Sequence, residues 1–588
     1  MTSSSTINVN ERKFFLLLSA IAWLIIAVRA HLIPWVNDEA LTFLLYVEPR
    51  DYLPGIAAWD ANNHFLNSAL MSAAYETLGL SHLGSRLGNV LAFGAFAWAL
   101  FQLGAHLHSA LVRWCLWLAL LFCPLLFELF TLARGYGMGI AFWLAATVWM
   151  MRLAGAWSLR ALLWSLALLL LANAAVMAAL PVWAVTLVAL AFLFARHAQA
   201  AARWLGALAW ILLGAAPLIG AVWYSMELRA RGGYFIGSLD GFVPVSVASL
   251  MKELIGTDDT AIAWTASLLV AVAMVLVVWK HRRDRVLLIP VALLGVDVLS
   301  RIGMAWLLGV NYPIDRAVAH LIPWASFVLA VALDRASMRR PAVAVIAIVL
   351  LALPARTLLT FNGQRSVLFP TQGPAESLVR RITDEQAGGP TLLGGPRHMC
   401  MPLALEARRL GLEAPRLDGD IPLSPWFEHR ITWGRPDADA ALGYVIIDSA
   451  ATGHYLLKRE QPLVLVAEWE GSAPPTEGPT EYIVLLQGDT LTTAVDRIID
   501  IDGPMDSDGE PIALNLVVAA NGSDGSGLYY ESYLIHLLRP RWNGERLRLR
   551  VPVPAIANAV ERRIYIWNIE RRPLRTGPFK VSLRTLGE

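Results

Sequence analysis

The sequence "FFLLLSAIAWLIIAVRAHLIPWVNDEALTF", residues 14–43, decides the fold class. Its first twenty residues, up to Ile33, are almost entirely apolar and can cross the roughly 30 Å hydrocarbon core of a bilayer. The run is longer than the core of a signal peptide and lacks a convincing small-residue cleavage site, so it predicts a retained membrane anchor. Two adjacent carboxylates, Asp38 and Glu39, follow shortly afterwards, where the chain leaves the lipid.

The composition predicts an integral membrane protein. Of 588 residues, 56% are hydrophobic and only 16% are charged, which is far more apolar than a soluble protein. The formal net charge of +2 offers neither the basic surface of a nucleic-acid-binding protein nor an acidic tail. We therefore expect membrane association and no nucleic-acid partner.

Apolar runs near the length of a membrane span recur through the first 360 residues. Eleven are found, at residues 14–33, 86–105, 113–132, 136–151, 160–178, 179–196, 203–224, 262–279, 286–309, 317–335 and 341–359. They predict a polytopic α-helical membrane protein with about 11–13 spans, over a membrane domain of residues 1–360.

The basic connections between these runs predict which loops face the cytoplasm. Lys and Arg concentrate at 152–160, 196–203, 280–285 and 334–340, which the positive-inside rule assigns to the cytoplasmic side. The alternation of spans then places the other loops on the outer side. These are residues 34–85, 133–137, 225–261 and 311–320, together with everything after residue 360.

One segment of the external loop 34–85 has two interpretations. Residues 62–80 are long enough for a short span, but they carry many polar side chains, and a span there would spoil the alternation. We expect a helix lying along the membrane surface, with its apolar residues at helical spacing. Those residues are Phe65, Leu66, Ala69, Leu70 and Ala73.

The chain leaves the membrane after about residue 360, where proline, glycine and charged residues increase. Residues 361–475 read as strand, helix, strand, strand, including "PLVLVAEWEG" at 462–471, and predict a small α/β domain. Residues 476–588 contain six or more short strands separated by turns, which predicts a β-sandwich resembling a jelly roll. This domain could bind sugars, or it could serve as a scaffold or lid.

Ionisable residues on the predicted outer side are candidates for chemistry. Partial desolvation at the lipid boundary raises a carboxylate's pKa and would allow Asp38 to accept a proton from a hydroxyl. A solvated loop is the alternative for Asp38 and Glu39. Residues 62–64, "NNH", add Asn63 and His64 to the same side.

Cationic residues on that side could bind a phosphate. Arg134 and Tyr136 occur in "LARGYG", and Arg316 precedes His320 by four residues in "YPIDRAVAHLIP". Arginine is suited to phosphate recognition, although arginines at span ends also snorkel towards water. By contrast, Asp297 and Arg301 lie four apart within an apolar run and fit a structural ion pair.

These motifs resemble those of the GT-C superfamily of polytopic glycosyltransferases. The resemblance covers residues 14–335 and rests on "NDEA" at 37–40, "NNHFLNSALMSAAYETLGL" at 62–80, "LARGYGM" at 132–138 and "DRAVAHLIPWASFVLA" at 315–330. Within the superfamily, the sequence is most similar to protein mannosyltransferases and aminoarabinose transferase-like enzymes. The resemblance implies a GT-C fold and a sugar donor carried on a polyprenyl phosphate.

The resemblance also implies roles for individual residues. Asp38 matches the catalytic base, Glu39 its acidic neighbour, and Arg316 the contact to the donor phosphate. His64 matches the start of a "HPPLYY"-like segment, with Asn63 beside it, and Arg134 with Tyr136 matches a "REARMY"-like one; His320 would support the phosphate contact.

This sequence departs from the family pattern at two of these motifs. Phe65 and Leu66 replace the prolines expected after His64, which puts the detailed substrate contacts in doubt. "LARGYG" lacks the second carboxylate of the metal-dependent oligosaccharyltransferases. We therefore expect no obligatory cofactor, although Asp38 and Glu39 could hold a divalent metal weakly.

The expected function is that of an inverting glycosyltransferase at the outer face of the cytoplasmic (inner) membrane. It would move a hexosyl or pentosyl group from a polyprenyl-phosphate sugar to a hydroxyl of a cell-envelope glycan, lipid or protein. One alternative is a transporter or flippase for a lipid-linked glycan, with Asp297, Arg301 and Glu128 as the polar residues at membrane depth. A non-catalytic glycan-binding protein built around the β-domain is a further alternative.

Overall fold

The structure is a computed structural model. It describes residues 7–177, 180–197, 201–231, 236–335, 350–385, 393–412, 417–419, 426–434, 436–472, 480–488, 497–506, 514–534, 546–569 and 571–587. The chain divides into two compact units. The membrane unit comprises Met1–Ile33 and Tyr46–Gly363, and the C-terminal unit comprises Pro34–Leu45 and Gln364–Glu588.

Helices make up most of the chain before residue 360. In chain order they are α1 (Val9–Leu32), α2 (Asn37–Thr42), α3 (Phe65–Leu78), α4 (His82–Gly104), α5 (Ala110–Leu121), α6 (Pro124–Thr131), α7 (Gly135–Gly155), α8 (Leu159–Ala175), α9 (Leu180–His197), α10 (Ala201–Ala230), α11 (Ala248–Ile255), α12 (Thr260–His281), α13 (Arg285–Leu308), α14 (Leu321–Asp334) and α15 (Ala352–Thr360). Short π-helical turns cover Phe43–Val47 and Val243–Val247, and a 3₁₀ turn covers Asp315–Val318. Helix α2 belongs to the C-terminal unit, and the other helices belong to the membrane unit.

Five helices in the described part of the chain are long and apolar enough to cross a membrane: α1, α4, α7, α12 and α13. Helices α5 and α6 make a sixth span if they are taken together, although they meet at 43°. The break falls where Pro124 begins α6, because proline lacks the N–H that would continue the helix from α5. A polytopic membrane fold is therefore confirmed.

The sequence predicted more spans than these helices supply. The runs at 160–178 and 317–335 form α8 and α14, which have only 17 and 14 residues. Residues 336–349, which include the first part of the last run, lie outside the described residues. Among the five span candidates, α7 is the most enclosed: 78% of its apolar window is buried, against 17% for α12. Helix α7 therefore lies at the centre of the bundle, in contact with α4 and α8.

Residues 65–78 form the helix predicted within the external loop. At 14 residues, α3 is shorter than the roughly 20 needed for a span. Its buried face carries Asn67, Ser68 and Ser72, whereas Leu70 and Ala73 are exposed. The polar side chains point inwards because the neighbouring helices supply hydrogen-bond partners, which leaves apolar side chains available to lipid.

The C-terminal unit contains a mixed α/β layer and two further sheets. Its strands are β1 (Leu393–Gly395), β2 (Leu417–Gly419), β3 (His429–Trp433), β4 (Tyr444–Ser449), β5 (His454–Arg459), β6 (Leu463–Ser472), β7 (Tyr482–Gly488), β8 (Arg497–Asp506), β9 (Leu514–Gly522), β10 (Gly527–Leu534), β11 (Arg546–Val553), β12 (Ala559–Asn568), β13 (Arg575–Thr576) and β14 (Pro578–Leu586). Its helices after residue 363 are α16 (Glu376–Glu385), α17 (Cys400–Arg409) and α18 (Asp437–Ala440), and a 3₁₀ turn covers Arg397–Met399.

The α/β layer has the strand order β2-β1-β3-β5-β4. Strand β1 is parallel to β2 and β3, whereas β5 is antiparallel to its neighbours β3 and β4. Leucines and valines of α16 and α17, including Leu378 and Leu403, pack with Ile431 and Leu456 of the sheet. The predicted α/β segment is therefore present.

The last two sheets form the predicted β-sandwich. One has the order β10-β9-β12-β7 and the other β11-β8-β14-β6, with β13 paired to β8. Side chains from both sheets, such as Leu516 and Ile501, share one hydrophobic core. The sequence assigned residues 462–471 to the α/β domain, but β6 pairs with β14 along its length. The sandwich therefore begins near Leu463 rather than at residue 476.

The segment 34–85, predicted to be an external loop, is divided between the two compact units. Residues Pro34–Leu45 group with the C-terminal unit because α2 packs on α17 and the Asn37 backbone N–H donates to Gln372 Oε1 at 2.8 Å. Residues 46–85 stay with the membrane unit. The boundary expected at residue 360 corresponds to the change of unit at Gly363.

Candidate active site

Four of the predicted site residues meet in the membrane unit around the ring of Tyr136. The guanidinium carbon of Arg134 lies 5.8 Å from the ring centroid, and that of Arg316 lies 6.0 Å from it. The imidazole of His64 approaches the same ring edge to face, with centroids 4.9 Å apart. Residues from three separate stretches of sequence thus converge on one aromatic side chain. We call His64, Arg134, Tyr136 and Arg316 the arginine cluster.

The glycines of "LARGYG" permit the close packing beneath this cluster. Arg134 is the N-cap of α7, and Gly135 is its first residue. A Cβ atom at Gly135 would lie 1.9 Å from the carbonyl oxygen of Ala175 at the end of α8. Only glycine allows these two backbones to approach so closely, so the motif brings Arg134 and Tyr136 to the end of α8.

His64 is neutral and held in one tautomer. Its Nδ1 lies 3.1 Å from the Ala175 carbonyl oxygen, which can only accept a hydrogen bond, so Nδ1 carries the proton. Burial, together with the charges of Arg134 and Arg316, holds the pKa of the His64 imidazole well below its usual value. Its Nε2 atom has no hydrogen-bond partner among the described residues. His64 therefore brings an acceptor, rather than a third positive charge, to the arginine cluster.

Asparagine side chains tie α3 and α4 to the turn before α7. Asn67 donates to the Ala133 carbonyl at 3.0 Å, Asn89 donates to Asn67 at 3.1 Å, and the Met138 N–H donates to Asn89 at 3.1 Å. All four residues that take part in this relay are buried. The relay therefore fixes the turn that carries Arg134.

Asn63 has a supporting position at the start of α3. Its side chain donates to the Tyr52 carbonyl at 3.1 Å and accepts from Ser68 Oγ at 3.1 Å. Neither contact involves the arginine cluster directly. Asn63 therefore holds the segment that leads into His64.

His320 is hydrogen-bonded to Asp297 and not to a member of the arginine cluster. Its Nε2 is 3.0 Å from Asp297 Oδ2, and Arg301 Nε donates to the same oxygen at 3.1 Å. The predicted Asp297–Arg301 ion pair is thus present, with His320 as a third member. Arg316 lies in the 3₁₀ turn Asp315–Val318 and His320 is the N-cap of α14, so the two do not share one α-helix.

Asp38 and Glu39 belong to the C-terminal unit and differ in their surroundings. Glu39 is fully buried, and its Oε2 accepts the Val36 backbone N–H at 3.0 Å, which stabilises the first turn of α2. Asp38 is half-buried, and its backbone carbonyl accepts from Thr42 Oγ1 at 2.8 Å. Glu39 therefore stabilises the start of α2, and Asp38 lies next to it in the first turn of the same helix.

Arg86 holds the end of α1, just before the segment Pro34–Leu45 that carries Asp38 and Glu39. Its Nη1 donates to the carbonyls of Ala30 and Ile33 at 3.0 and 2.6 Å. Arg86 is fully buried, and it satisfies carbonyls that the helix end leaves without partners. The chain therefore leaves α1 from a fixed point.

A protein metal site has no obvious ligands in the part of the chain described. No group of three or more histidine, cysteine, aspartate or glutamate side chains there is arranged to hold an ion. The hypothesis of weak metal binding by Asp38 and Glu39 stays a prediction, and one of those carboxylates already caps α2.

The sequence did not single out Asn67 and Asn89, which fix the turn that carries Arg134, or Arg86, which holds the end of α1. Arg86 and Asn89 lie at the start of the predicted span 86–105, where polar residues are a signal of function or of close packing. Asn67 lies among the other polar side chains of residues 62–80 and does not stand out from them. The serines of residues 236–256, described below, gave no signal, because serine is ordinary in an external loop.

The arginine cluster has the positive charges and hydrogen-bonding groups needed to bind an anion. Two guanidinium groups lie on one tyrosine ring, and a neutral histidine with a free acceptor stands beside them. Arginine forms charge-assisted, often bidentate, hydrogen bonds with phosphate oxygens. The phosphate of a phosphate ester would bind the guanidinium groups, and a hydroxyl of the same molecule would donate to His64 Nε2.

The described residues define a multi-pass membrane protein with a β-rich C-terminal region. No protein-family model and no curated protein sequence matches the chain. Among solved structures, it is similar to ArnT from Cupriavidus metallidurans, at 13% identity over 76% of this chain and 98% of that one, with a TM-score of 0.46.

Two further solved structures are similar at a comparable level. Arabinosyltransferase EmbB from Mycobacterium smegmatis has 11% identity over 97% of this chain and 64% of its own, with a TM-score of 0.38. An oligosaccharyltransferase from Archaeoglobus fulgidus has 13% identity over 63% of this chain and 55% of its own, with a TM-score of 0.36. By their names, these two proteins are an arabinosyltransferase and an oligosaccharyltransferase.

Proposed function

We propose that the chain is an inverting glycosyltransferase of the GT-C type that uses a polyprenyl-phosphate sugar. The observation that carries the proposal is the convergence of Arg134 and Arg316 on Tyr136, beside a neutral His64. A pair of arginines at this position is suited to the phosphate of a lipid donor. The motif resemblance supplies the reaction class.

In the proposed reaction, Asp38 removes the proton of an acceptor hydroxyl. The acceptor oxygen attacks the anomeric carbon from the side opposite the phosphate, and the bond from that carbon to the phosphate oxygen breaks. The electron pair leaves with the lipid phosphate, whose growing negative charge Arg316 and Arg134 stabilise. The sugar is thereby transferred with inversion.

The lipid tail of the donor would lie against the outward surface of the spans. Leu299, Trp306 and Leu307 of α13 are largely exposed, and apolar side chains of this size are typical of lipid-facing helices. The acceptor would be a glycan, lipid or protein of the cell envelope. The chain itself would lie in the inner membrane, with the C-terminal unit on its outer side.

Transfer is tested with purified full-length protein in nanodiscs. The protein is offered a panel of undecaprenyl-phosphate sugars and an envelope extract as acceptor, and mass spectrometry follows the new glycosidic bond. We expect Arg316→Ala and Asp38→Asn each to reduce turnover at least 100-fold while the melting temperature stays within a few degrees. Parental turnover in both variants contradicts the mechanism.

The transporter alternative predicts lipid movement without a new bond. Its candidate residues at membrane depth are already engaged: Asp297 pairs with Arg301 and His320, and Glu128 accepts from Arg29 at 2.6 Å. A fluorescent lipid-linked sugar that crosses a vesicle membrane, with no glycosidic product, would favour the transporter.

The proposed topology is tested by labelling single introduced cysteines from outside the cell. Thr77 in α3 is exposed and should be labelled, whereas Ala156, which is also exposed but lies in a predicted cytoplasmic loop, should be protected. The natural cysteines Cys115, Cys123 and Cys400 are buried and give little background. The reverse pattern contradicts the proposed sidedness.

A further inference from the structure

We propose that Ser246, Ser249 and Asp297 are positioning residues that hold Arg316 over Tyr136. This inference rests on the proposed function, in which Arg316 binds the donor phosphate. None of the three was selected by the sequence as part of the phosphate site. They act on the chain segment from Tyr312 to His320, here called the Arg316 segment, rather than on the ligand.

Two serines fix the beginning of the Arg316 segment. Ser246 Oγ donates to the Pro313 carbonyl at 2.6 Å, and the Asp315 backbone N–H donates to Ser249 Oγ at 2.9 Å. Ser249 Oγ in turn donates to the Ser246 carbonyl at 2.9 Å. Ser246 is fully buried, so its hydroxyl has a fixed direction. The two hydroxyls therefore act as one clamp on the residues just before Arg316.

The clamp is needed because the backbone turns sharply at Asp315. Asp315 has φ of +47°, in the left-handed region, which costs a residue with a side chain on the order of 1 kcal/mol. Such a conformation persists only where its surroundings impose it. Here the Asp315 N–H is bonded to Ser249, and the Tyr312 N–H is bonded to the Ser238 carbonyl at 2.8 Å.

Asp297 fixes the other end of the segment. Its Oδ2 bonds His320, four residues after Arg316, and Arg301 holds the same carboxylate. The His320 ring also packs between Trp143 and Trp324, with centroids 5.5 and 5.9 Å away. All these residues are buried. His320 can therefore hardly move without disturbing a packed core.

The Arg316 guanidinium is thus placed by contacts on both sides of it. A displacement of about 1 Å in a group that binds a substrate can cost a large factor in rate. Loss of either contact should therefore weaken phosphate binding while most of the fold persists.

Binding of lipid to full-length protein in nanodiscs separates positioning from general stability. The probes are undecaprenyl phosphate and undecaprenol, which differ only in the phosphate. We expect Ser249→Ala to weaken undecaprenyl phosphate binding 3- to 10-fold and to leave undecaprenol binding unchanged. The matched control is Ser267→Ala in α12, which loses a hydroxyl that donates to the Ala263 carbonyl at 2.8 Å and should bind both lipids as the parent does.

Coupling to Arg316 gives the decisive result. In Arg316→Ala, the added Ser249→Ala change should have no further effect on phosphate binding, because both act through one guanidinium. Additive losses, or a Ser249→Ala variant equal to Ser267→Ala, overturn the inference. Parental phosphate binding in Arg316→Ala itself would instead refute the proposed function.

Two variants at Asp315 provide a second test of the inference if Ser249→Ala folds poorly. Asp315→Asn and Asp315→Ala remove the same charge, but asparagine tolerates the left-handed conformation and keeps a polar side chain beside Ser249, whereas alanine does neither. We expect Asp315→Asn to bind undecaprenyl phosphate at least 3-fold more tightly than Asp315→Ala. Equal affinities would show that the backbone at Asp315 does not position Arg316, and would overturn the inference.

Discussion

The Nδ1 atom of His64 lies 3.1 Å from the carbonyl oxygen of Ala175, and this contact joins the start of α3 to the end of α8. Gly135 lies against both residues. A Cβ atom there would be 1.9 Å from the Ala175 oxygen and 3.0 Å from His64 Cβ. The histidine of the arginine cluster is therefore positioned through a glycine of a different motif.

Gly135→Ala should damage both stability and phosphate binding. The new methyl group must displace the end of α8, and overpacking of this kind costs about 1–3 kcal/mol. We expect a lower melting temperature in nanodiscs, and weaker undecaprenyl phosphate binding because His64 loses its anchor. The control is Gly303→Ala in α13, whose added Cβ meets no described atom within 4 Å. That variant should be neutral or slightly stabilised, and equal behaviour of the two alanines would contradict the prediction.

His64 should make the protein less stable in acid. Its pKa is depressed in the folded protein, chiefly by burial, so the unfolded chain binds more protons there once the pH falls below about 6.5. Folding stability is then lost as the pH decreases, by at most about 1.4 kcal/mol per pH unit for one proton. We expect the melting temperature of His64→Gln to fall less than that of the parent between pH 7.5 and 5.5. His108→Gln, an exposed histidine, is the control and should follow the parent.

Glu253 should make the protein less stable as the pH rises, which is opposite to the effect expected of His64. Burial, with the nearby charge of Asp315, raises the pKa of the Glu253 carboxyl to about 7. The folded protein therefore holds a proton that the unfolded chain releases above its ordinary carboxyl pKa, and stability contributed by Glu253 declines from about pH 4.5 to 7. We expect Glu253→Gln, which resembles the protonated form, to raise the melting temperature at pH 8 relative to the parent, with little difference at pH 5. An equal effect at both pH values would mean that Glu253 does not titrate in this range. Lys252 and Arg356 also lie near Glu253 and lower its pKa, and the value of about 7 is the net result of these opposing influences.

Much of the fold follows from short-range patterns. Apolar runs such as 262–279 and 286–309 became α12 and α13 because every backbone group in a span must be bonded within its own helix. The ion pair between Asp297 and Arg301 followed from their spacing of four residues on one helix. Alternating strands similarly indicated the β-sandwich.

The remaining features depend on contacts between distant residues, which carry no local pattern. Nothing in "DRAVAHLIP" indicates that His320 bonds Asp297, 23 residues earlier, instead of joining Arg316. Strand β6 could pair with either sheet, and only its register with β14 decides. The grouping of Pro34–Leu45 with the C-terminal unit depends on Gln372 and α17, more than 330 residues away.

The two adjacent carboxylates of "NDEA" should separate into a structural and a reactive residue. Glu39 is buried and accepts the Val36 N–H, so Glu39→Ala leaves that donor without this acceptor, at a cost of about 1–3 kcal/mol. Glu39→Gln keeps an acceptor oxygen and should recover most of the melting temperature and most of the turnover. Asp38 is half-buried, and Asp38→Asn should leave the melting temperature within a few degrees of the parent while turnover falls at least 100-fold. Thermal denaturation and glycosyl transfer, measured on the same nanodisc preparations, check all three variants. If Glu39→Gln loses turnover as completely as Asp38→Asn does, the charge of Glu39 takes part in the reaction and the assignment of the base to Asp38 alone is wrong.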